Sequence, residues 1–413
     1  MLEQNLDVYD SEMHSNPKQV VQWILEILGL MPGATIPLVH AFWGSSGIGK
    51  TTLLDALGSA NELTALILGK WDARITSAAD LMQQILAKIA QSTERRKIVL
   101  IDNLDALLRQ EDGSDFFDFE HLVIRNLVER NDTLIVVTSQ SELRQWREYE
   151  VRERLHSIHL LPLAASEIEP MDSYSAEQIY ALTLGHPQVI QWLRDAPNLT
   201  EQALAQKARD HFFQELADET QPLARASCLF PMFDVAMLRL VLPSQAENAS
   251  EGFYIHFLER IRDLAGAGLI YWNAESGSYR YADNSVRCLC ARALFYEQPD
   301  EFRRIHQIAF DYFQSDALRA TYLHFCFVSA IYHLAYTIAA QASAPVGASC
   351  LEWVRAHQEQ WIGADWDAVI SAWETGQGDA GTLEEIKSLL GSEAFAEISR
   401  ALQESKHKFA LPA

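Results

Sequence analysis

The chain has 413 residues, of which 48% are hydrophobic and 22% charged, a size and composition that predict two or three separate globular domains. Its net charge of −23 argues against a broad nucleic-acid surface, because phosphate contacts need clustered Lys and Arg. No run approaches the roughly 18–20 apolar residues of a membrane span, and the polar N-terminus is unlike a signal peptide. We therefore expect a cytoplasmic protein without membrane contact.

The first third of the chain alternates short apolar runs with amphipathic segments. Residues 1–15 are polar and expected to be loose, and a helix is predicted from Asn16-Pro17. The next predicted elements are a strand, a helix, a second strand and a second helix: Ile36 to Trp43, about 50 to Leu57, Leu63 to Leu68, and Ser77 to Ala90.

Three further apolar runs complete this region. They are predicted as strands at Lys97 to Asp102, Leu134 to Thr138 and Ile158 to Leu163, with a helix at about Asp118 to Arg130 between the first two. Strands that are almost wholly apolar and alternate with helices are typical of a parallel sheet covered on both faces. An α/β domain over residues 34–165 is the prediction.

The remainder of the chain reads as helical, with one exception. Leu269 to Trp272 and Ser278 to Tyr281 flank a glycine turn and predict a hairpin, and a helical run that ends in a small hairpin suggests a winged helix. A later helix is predicted to open at the capping box Thr382 to Glu385. The predicted segments are a linker and helix at 1–33, the α/β domain at 34–165, a helical lid at 166–222, a winged-helix-like domain at 223–298 and a helical region at 299–413.

A glycine-rich loop between the first strand and its helix carries the clearest chemistry. Small residues let backbone N–H groups turn inward around phosphate, the lysine reaches the β- and γ-phosphate oxygens, and the threonine after it offers a hydroxyl to Mg²⁺. The strand before the loop and the helix after it are the context that this motif requires. The predicted nucleotide-binding residues of the loop are Gly44, Ser46, Gly47, Ile48, Gly49, Lys50, Thr51 and Thr52.

An acid at the tip of a neighbouring buried strand completes a magnesium–triphosphate site. Asp102 ends such a strand and is predicted, with Thr51, to hold Mg²⁺. Related hydrolytic enzymes place a second acid directly afterwards to orient water, whereas this chain has Asn103. Either Asp105 or a residue from elsewhere acts as the base, or turnover is slow; Lys50, Asp102 and Asp105 are the predicted catalytic residues.

The third long strand ends in Thr138, Ser139 and Gln140. Polar side chains at this tip lie beside the acid strand, where they can contact the γ-phosphate or cap the following loop. Both interpretations stay open, and Gln140 is included among the predicted nucleotide contacts.

These pieces, in this order, resemble the STAND class of signalling ATPases, which includes the NB-ARC domains of plant resistance proteins and apoptosome proteins. The likeness is carried by the loop, by the strands ending at Asp102 and Thr138, and by the turn Gly185-His186-Pro187. The resemblance implies that Pro187 contacts the nucleotide and that a base pocket lies around residues 14–20. Many members have a His before Asp283 that touches ADP; this chain has Ala282, so the resemblance does not extend to that contact.

The resemblance further implies a switch whose ATP- and ADP-bound states favour different arrangements. About 35 residues precede the first strand, too few for a fused effector. We therefore expect separate partner proteins, a nucleotide-dependent oligomer, and a role in bacterial signalling or defence.

Two alternatives stay open. A DNA-associated ATPase would join the same kinds of domain, although the charge and the single cation Arg280 in the hairpin weigh against it. An ATP-binding scaffold without hydrolysis would be consistent with Asn103.

Overall fold

A computed structural model describes residues 12–14, 16–30, 37–108, 113–242, 251–274, 277–341, 345–357, 365–376 and 380–409. They form two compact units. The first takes Met1–Glu215 and Leu264–Tyr271, and the second takes Leu216–Asp263 and Trp272–Ala413.

The first unit is built on a parallel sheet. Its strands are β1 Glu12–His14, β2 Val39–Trp43, β3 Ile67–Asp72, β4 Lys97–Asp102, β5 Thr133–Ser139 and β6 Leu155–Leu161. Their order is β1-β6-β2-β5-β4-β3, and every neighbouring pair is parallel. Every residue of β4 and β5 is buried, as expected for central strands covered on both faces. The predicted parallel α/β class is confirmed.

Helices connect these strands and continue the first unit. They are α1 Pro17–Leu30, α2 Lys50–Ser59, α3 Ala78–Gln91, α4 Ser114–Phe119, α5 Arg125–Arg130, α6 Tyr149–Arg152, α7 Ala176–Thr183, α8 Pro187–Asp195 and α9 Glu201–Phe213. A π-helical turn, Glu120–Ile124, joins α4 to α5, so the helix predicted at about 118–130 begins earlier and is interrupted.

Other predictions in this unit also need correction. The last strand, expected at Ile158 to Leu163, is β6 at Leu155–Leu161. Residues 12–14, expected to be loose, pair with β6 as an edge strand. The strand expected at Leu63 to Leu68 is β3 at Ile67–Asp72, because residues 61–66 form turns in which Leu63 is buried. The second half of β3 contains the polar residues Lys70 and Asp72, so a search for apolar runs does not find where this strand ends.

The second unit is helical. Its helices are α10 Gln221–Ser227, α11 Val235–Val241, α12 Glu251–Gly266, α13 Asn284–Glu297, α14 Pro299–Phe313, α15 Asp316–Ala339, α16 Val346–His357, α17 Trp366–Glu374, α18 Ala380–Leu390 and α19 Ser392–Phe409, and the last turn of α12 belongs to the first unit. The predicted hairpin is confirmed as β7 Ile270–Asn273 and β8 Ser278–Tyr281. Apolar side chains from α15 to α19 share one core. Among the described helices none is long and apolar enough to cross a membrane.

A buried polar network lies within this second unit. Arg287 of α13 is 1% exposed; it pairs with Glu385 of α18 and donates to the Tyr332 hydroxyl at 3.0 Å. Tyr332 in turn donates to Glu385 at 2.9 Å, and Tyr336 also donates to it. The capping box predicted at Thr382 is wrong, because α18 begins two residues earlier, at Ala380, and Glu385 serves this network instead.

Candidate nucleotide-binding site

The glycine-rich loop joins β2 to α2, as predicted. Gly47 and Gly49 have φ angles of 75° and 105°, left-handed conformations that disfavour other residues. The Lys50 ammonium is buried and donates to the carbonyls of Gly44 at 2.7 Å and Ser45 at 2.8 Å. The loop thus curls around the lysine, an arrangement suited to hold phosphate oxygens.

The other predicted loop residues occupy distinct environments. Ile48 is buried in the core of the first unit, so its side chain anchors the loop. Ser46 of the loop is exposed, and so are Thr51 and Thr52 in the first turn of α2. Residues that carry hydroxyl groups therefore lie on the accessible side of the loop and of the first turn of α2.

Three elements meet at the Asp102 carboxylate. Thr51 of α2 donates to its Oδ2 at 2.8 Å, and Thr138 of β5 donates to its Oδ1 at 2.5 Å. The strand order explains this contact, because β5 lies between the loop strand β2 and the acid strand β4. The structure therefore brings the predicted metal residues Thr51 and Asp102 together.

The donor set fits Mg²⁺. Magnesium prefers oxygen ligands, keeps several waters, and in such sites takes one or two protein ligands beside substrate phosphates. The Thr51 hydroxyl and the Asp102 carboxylate would hold the ion, which when bound neutralises charge on the phosphates. Among the described residues no cluster of three His, Cys, Asp or Glu side chains is arranged to hold a metal by itself.

The polar residues at the tip of β5 have different contacts, which the sequence did not distinguish. Thr138 contacts the acid, whereas the Ser139 hydroxyl caps the following loop by donating to the Ser141 carbonyl at 2.6 Å. Gln140 lies one residue beyond the strand, and its backbone packs against Gly268. Of the three side chains, Thr138 is the one shown to contact Asp102.

The turn before α8 lies against the phosphate loop. A Cβ at Gly47 would meet Gln188 Cβ at 2.6 Å and His186 Cε1 at 3.3 Å, so only glycine fits there. The Ser45 hydroxyl and His186 Nε2 are 3.3 Å apart, both buried. Pro187 is the first residue of α8, between these two contact residues. The sequence indicated this turn but not that His186 and Gln188 touch the loop.

The beginning of α1 is fixed near the end of the sheet. The side chains of Asn16 and Gln19 both donate to Glu167 Oε1, at 3.2 and 3.0 Å. The other oxygen of Glu167 accepts from the Ala164 backbone at 2.9 Å. Part of the segment predicted to line a base pocket is therefore held in place by a carboxylate that sequence reasoning missed.

Acidic residues other than Asp102 also lie at this edge. Asp105 is 5% exposed, in a 3₁₀ turn at Leu104–Leu108. Asp72 ends β3 and pairs in register with Asp102. Hydrogen bonding to Asp72 raises the pKa of Arg74 against the effect of burial, and the charges of Asp72, Asp102 and Asp105 raise it further. Asp72 and Arg74 were missed because β3 was placed too early in the sequence.

Comparison with known families agrees with this geometry. Residues 40–144 match the model described as the ATPase family associated with various cellular activities (AAA). This segment is an AAA-family P-loop domain. It contains the loop, the acid strand β4 and the strand β5, which are the elements that meet at Asp102. No curated protein matches the chain.

Several solved structures are similar over much of the chain. One is the Aeropyrum pernix ORC2 protein in ADPNP–ADP complexes, with 12% identity, 70% of this chain and 98% of that chain covered, and a TM-score of 0.36. Another is Cdc6p from Pyrobaculum aerophilum, with 12% identity, coverage of 68% and 94%, and a TM-score of 0.28. The Bacillus subtilis DNA clamp loader delta protein has 12% identity, coverage of 94% and 98%, and a TM-score of 0.24.

Proposed function

We propose that the chain binds Mg²⁺·ATP, hydrolyses it slowly, and acts as a STAND-type switch whose nucleotide state controls assembly with separate partner proteins. The observation that carries the proposal is the contact between the phosphate loop and the turn before α8. Gly47 lies against Gln188, and Ser45 lies within hydrogen-bonding distance of His186.

This contact gives nucleotide a way to act on the helical segment. Phosphate in the loop would bind the same backbone that His186 and Gln188 touch, so ATP and ADP would support different contacts there. A ligand shifts a conformational equilibrium only through such a difference in contacts between states. Lys50, Thr51 and Asp102 would hold the triphosphate and its magnesium, and Thr138 would keep the carboxylate of Asp102 oriented.

Slow hydrolysis follows from the residue after Asp102. Asn103 has an amide in place of an acid, and an amide orients water but does not take its proton. The site is therefore better suited to keep ATP bound than to turn it over quickly.

Partner binding has a candidate surface on the hairpin of β7 and β8. Trp272 is 46% exposed and packs edge-on against Tyr279, with ring centroids 4.9 Å apart. Exposed Trp of this kind is enriched in protein interfaces. With a net charge of −23, we favour a protein partner over nucleic acid.

The test is binding of fluorescent ATP and ADP analogues to the purified protein, with and without Mg²⁺, alongside phosphate release and oligomeric state. We expect Mg²⁺-dependent ATP binding, release slower than about one per minute, well below the usual range of enzyme turnover, and a change of oligomeric state or of partner capture between ATP and ADP. Fast phosphate release, with the same oligomeric state and the same partner capture in ATP and ADP, would overturn the proposal that the protein is a switch. Salt-dependent duplex binding would instead support the DNA-acting alternative.

A further inference from the structure

The residue that follows Asp102 is held in an unusual conformation. Asn103 has φ 55°, in the left-handed region, and is 7% exposed. Among residues other than glycine, Asn and Asp tolerate this conformation best. Its backbone N–H donates to Thr138 Oγ1 at 3.0 Å, so the same hydroxyl that donates to Asp102 also fixes Asn103.

The side chain of Asn103 is fixed by a second acid. Its Nδ2 donates to Asp72 Oδ1 at 3.1 Å. Asp72 and Asp102 are register partners at the ends of the neighbouring strands β3 and β4. Asn103 therefore bridges from the acid strand to the carboxylate at the tip of the next strand.

Arg74 holds the same Asp72 carboxylate. Its backbone N–H and Nε donate to Oδ1 at 2.9 and 3.3 Å, and Nη2 donates to Oδ2 at 3.0 Å. Burial alone would raise the pKa of Asp72, but the hydrogen bonds from Arg74 and Asn103 outweigh it and lower the pKa. Asp72 is thus an ionised, paired carboxylate and a poor acceptor for a proton from water.

The pairing also fixes which way the Asn103 amide points. An ionised carboxylate accepts hydrogen bonds but donates none, so the amide nitrogen must face Asp72. The amide oxygen is the atom left to accept a hydrogen bond from elsewhere. A flipped amide would set two acceptors against each other.

We propose that Asp72, supported by Arg74, is a positioning residue that orients the Asn103 amide beside Asp102. The second acid of the site then lies at the end of the neighbouring strand β3 and not directly after Asp102, and this arrangement keeps ATP hydrolysis slow. The inference deepens the proposed function and depends on it. It names Asp72 and Asn103 as the pair that sets the rate of the switch.

The chemistry explains the rate. In hydrolysis, the water oxygen bonds to the γ-phosphorus, the bond from that phosphorus to the bridging oxygen breaks, and ADP leaves with the electron pair. The amide oxygen of Asn103 can accept a hydrogen bond from the water but not its proton, which passes to an oxygen of the released phosphate. A carboxylate at position 103 would take the proton, and general bases contribute about 10²–10⁴-fold.

The decisive variant exchanges the two side chains. Asp72→Asn with Asn103→Asp keeps a carboxylate–amide pair but places the carboxylate beside Asp102, in a backbone conformation that Asp tolerates. We expect kcat to rise about tenfold or more. We also expect kcat of this variant to fall more steeply toward acidic pH than kcat of the native protein does, because the new carboxylate must be ionised to take the proton. The kcat of the single variant Asn103→Asp should rise less, because its new carboxylate lies next to the like charge of Asp72.

A double-mutant cycle gives an independent arm. Asp72→Asn and Asn103→Ala should each lower kcat, and the double variant should be no slower than Asn103→Ala alone, because Asp72 acts through Asn103. Affinity for a fluorescent ATP analogue should stay near the native value throughout. The melting temperature should fall in the variants that carry Asn103→Ala, because alanine tolerates the left-handed conformation of this position less well than asparagine. Asp210→Asn is the matched control: it neutralises an exposed carboxylate on α9, with 68% of its side chain accessible.

The outcomes are distinguishable. If the exchange variant binds nucleotide but is no faster and shows no new pH dependence, or if the cycle is additive, the positioning role is overturned while the proposed function stands. If the native protein binds no Mg²⁺·ATP, the proposed function fails and the inference with it.

Discussion

Each of the two units contains a connected set of buried or half-buried polar groups, but the sets differ in what completes them. In the first unit, Thr51, Asp102 and Thr138 converge at the ends of strands next to a loop with exposed hydroxyls. In the second, Arg287 and Glu385 are enclosed by helices and satisfied by tyrosine hydroxyls.

The difference separates a site from a structural network. Strand ends and a glycine-rich loop leave donors and acceptors directed to where a ligand can arrive. A buried Arg–Glu pair that already has its hydrogen bonds needs no ligand. Its role is structural, because removing one partner leaves a buried charge unpaired and destabilises the fold. Changes in the first set should therefore alter nucleotide binding, and changes in the second should alter stability.

The largest expected effect is on the second unit. The Glu385 side chain is only 12% exposed, and Arg287→Met removes the cation with which it pairs. Because a buried charge is then left unpaired, the free energy of unfolding should fall by about 3–5 kcal/mol. Denaturant unfolding measures it. Arg355→Met, which breaks an exposed pair with Glu397, is the control and should cost about 0–1 kcal/mol.

A second variant separates charge burial from lost packing. Arg287→Met combined with Glu385→Gln removes the uncompensated charge and should recover part of the loss. An Arg287→Met protein as stable as the Arg355→Met control would contradict the description of this network.

The next effect belongs to the nucleotide site. Lys50→Ala removes the ammonium that the loop encloses, and one or two charge-assisted hydrogen bonds to phosphate are worth about 1.5–3 kcal/mol each. Affinity for an ATP analogue should fall by roughly tenfold to more than 100-fold, with fluorescence titration as the measurement. Lys70→Ala is the control: Lys70 lies on β3 and pairs with Asp55 of α2, so affinity should stay unchanged. Equal losses in the two variants would count against the site.

Acid should destabilise both units through buried histidines. Burial and the neighbouring His156 lower the pKa of His40 from 6.5 to about 3, and burial lowers that of His333 to about 3 as well. Because the folded pKa lies below the unfolded one, the stability is present above pH 6.5 and is lost as the pH falls toward 3. At pH 5 each histidine should cost about 2 kcal/mol.

His40→Met should therefore flatten the dependence of stability on pH between about 6.5 and 5 by up to about 1.4 kcal/mol per pH unit. Denaturant unfolding at several pH values tests this. The exposed His256, with 73% of its side chain accessible, supplies the control substitution His256→Met. An unchanged slope in His40→Met would show that His40 takes up its proton in the folded state.

The smallest effect concerns the contact between the loop and the turn before α8. A double-mutant cycle with Ser45→Ala and His186→Phe should give a coupling of about 1 kcal/mol in unfolding, the size of one buried hydrogen bond. The same cycle in ATP affinity tests the switch. No coupling in either measurement would mean that the two groups are adjacent without interacting.

Much of the first unit was predictable from sequence because its signals are local. The loop residues 44–52 are consecutive, and a strand of six buried residues ending in Asp102 is visible as an apolar run. Position along the chain was enough to predict that Thr51 and Asp102 lie close together.

What could not be predicted depends on strand order and on contacts between distant residues. The tip of β5 was predicted to lie beside the acid strand, but the hydrogen bond from Thr138 to Asp102 was not, because it depends on the position of β5 between β2 and β4. Asp72 was missed because the polar end of β3 has no apolar alternation, and His186 contacts a loop 141 residues earlier. The side chain of Asn103 was judged by its type alone, whereas its partner Asp72 is 31 residues away.

The most direct test of the account is equilibrium titration of the purified native protein with ATP and ADP analogues in the presence and absence of Mg²⁺, with Lys50→Ala in parallel. We expect saturable binding, strengthened by Mg²⁺ for ATP and weakened by about tenfold or more in the lysine variant. Absence of binding, or binding that the Lys50→Ala variant retains in full, would contradict the central claim that this loop and Asp102 form a magnesium–nucleotide site.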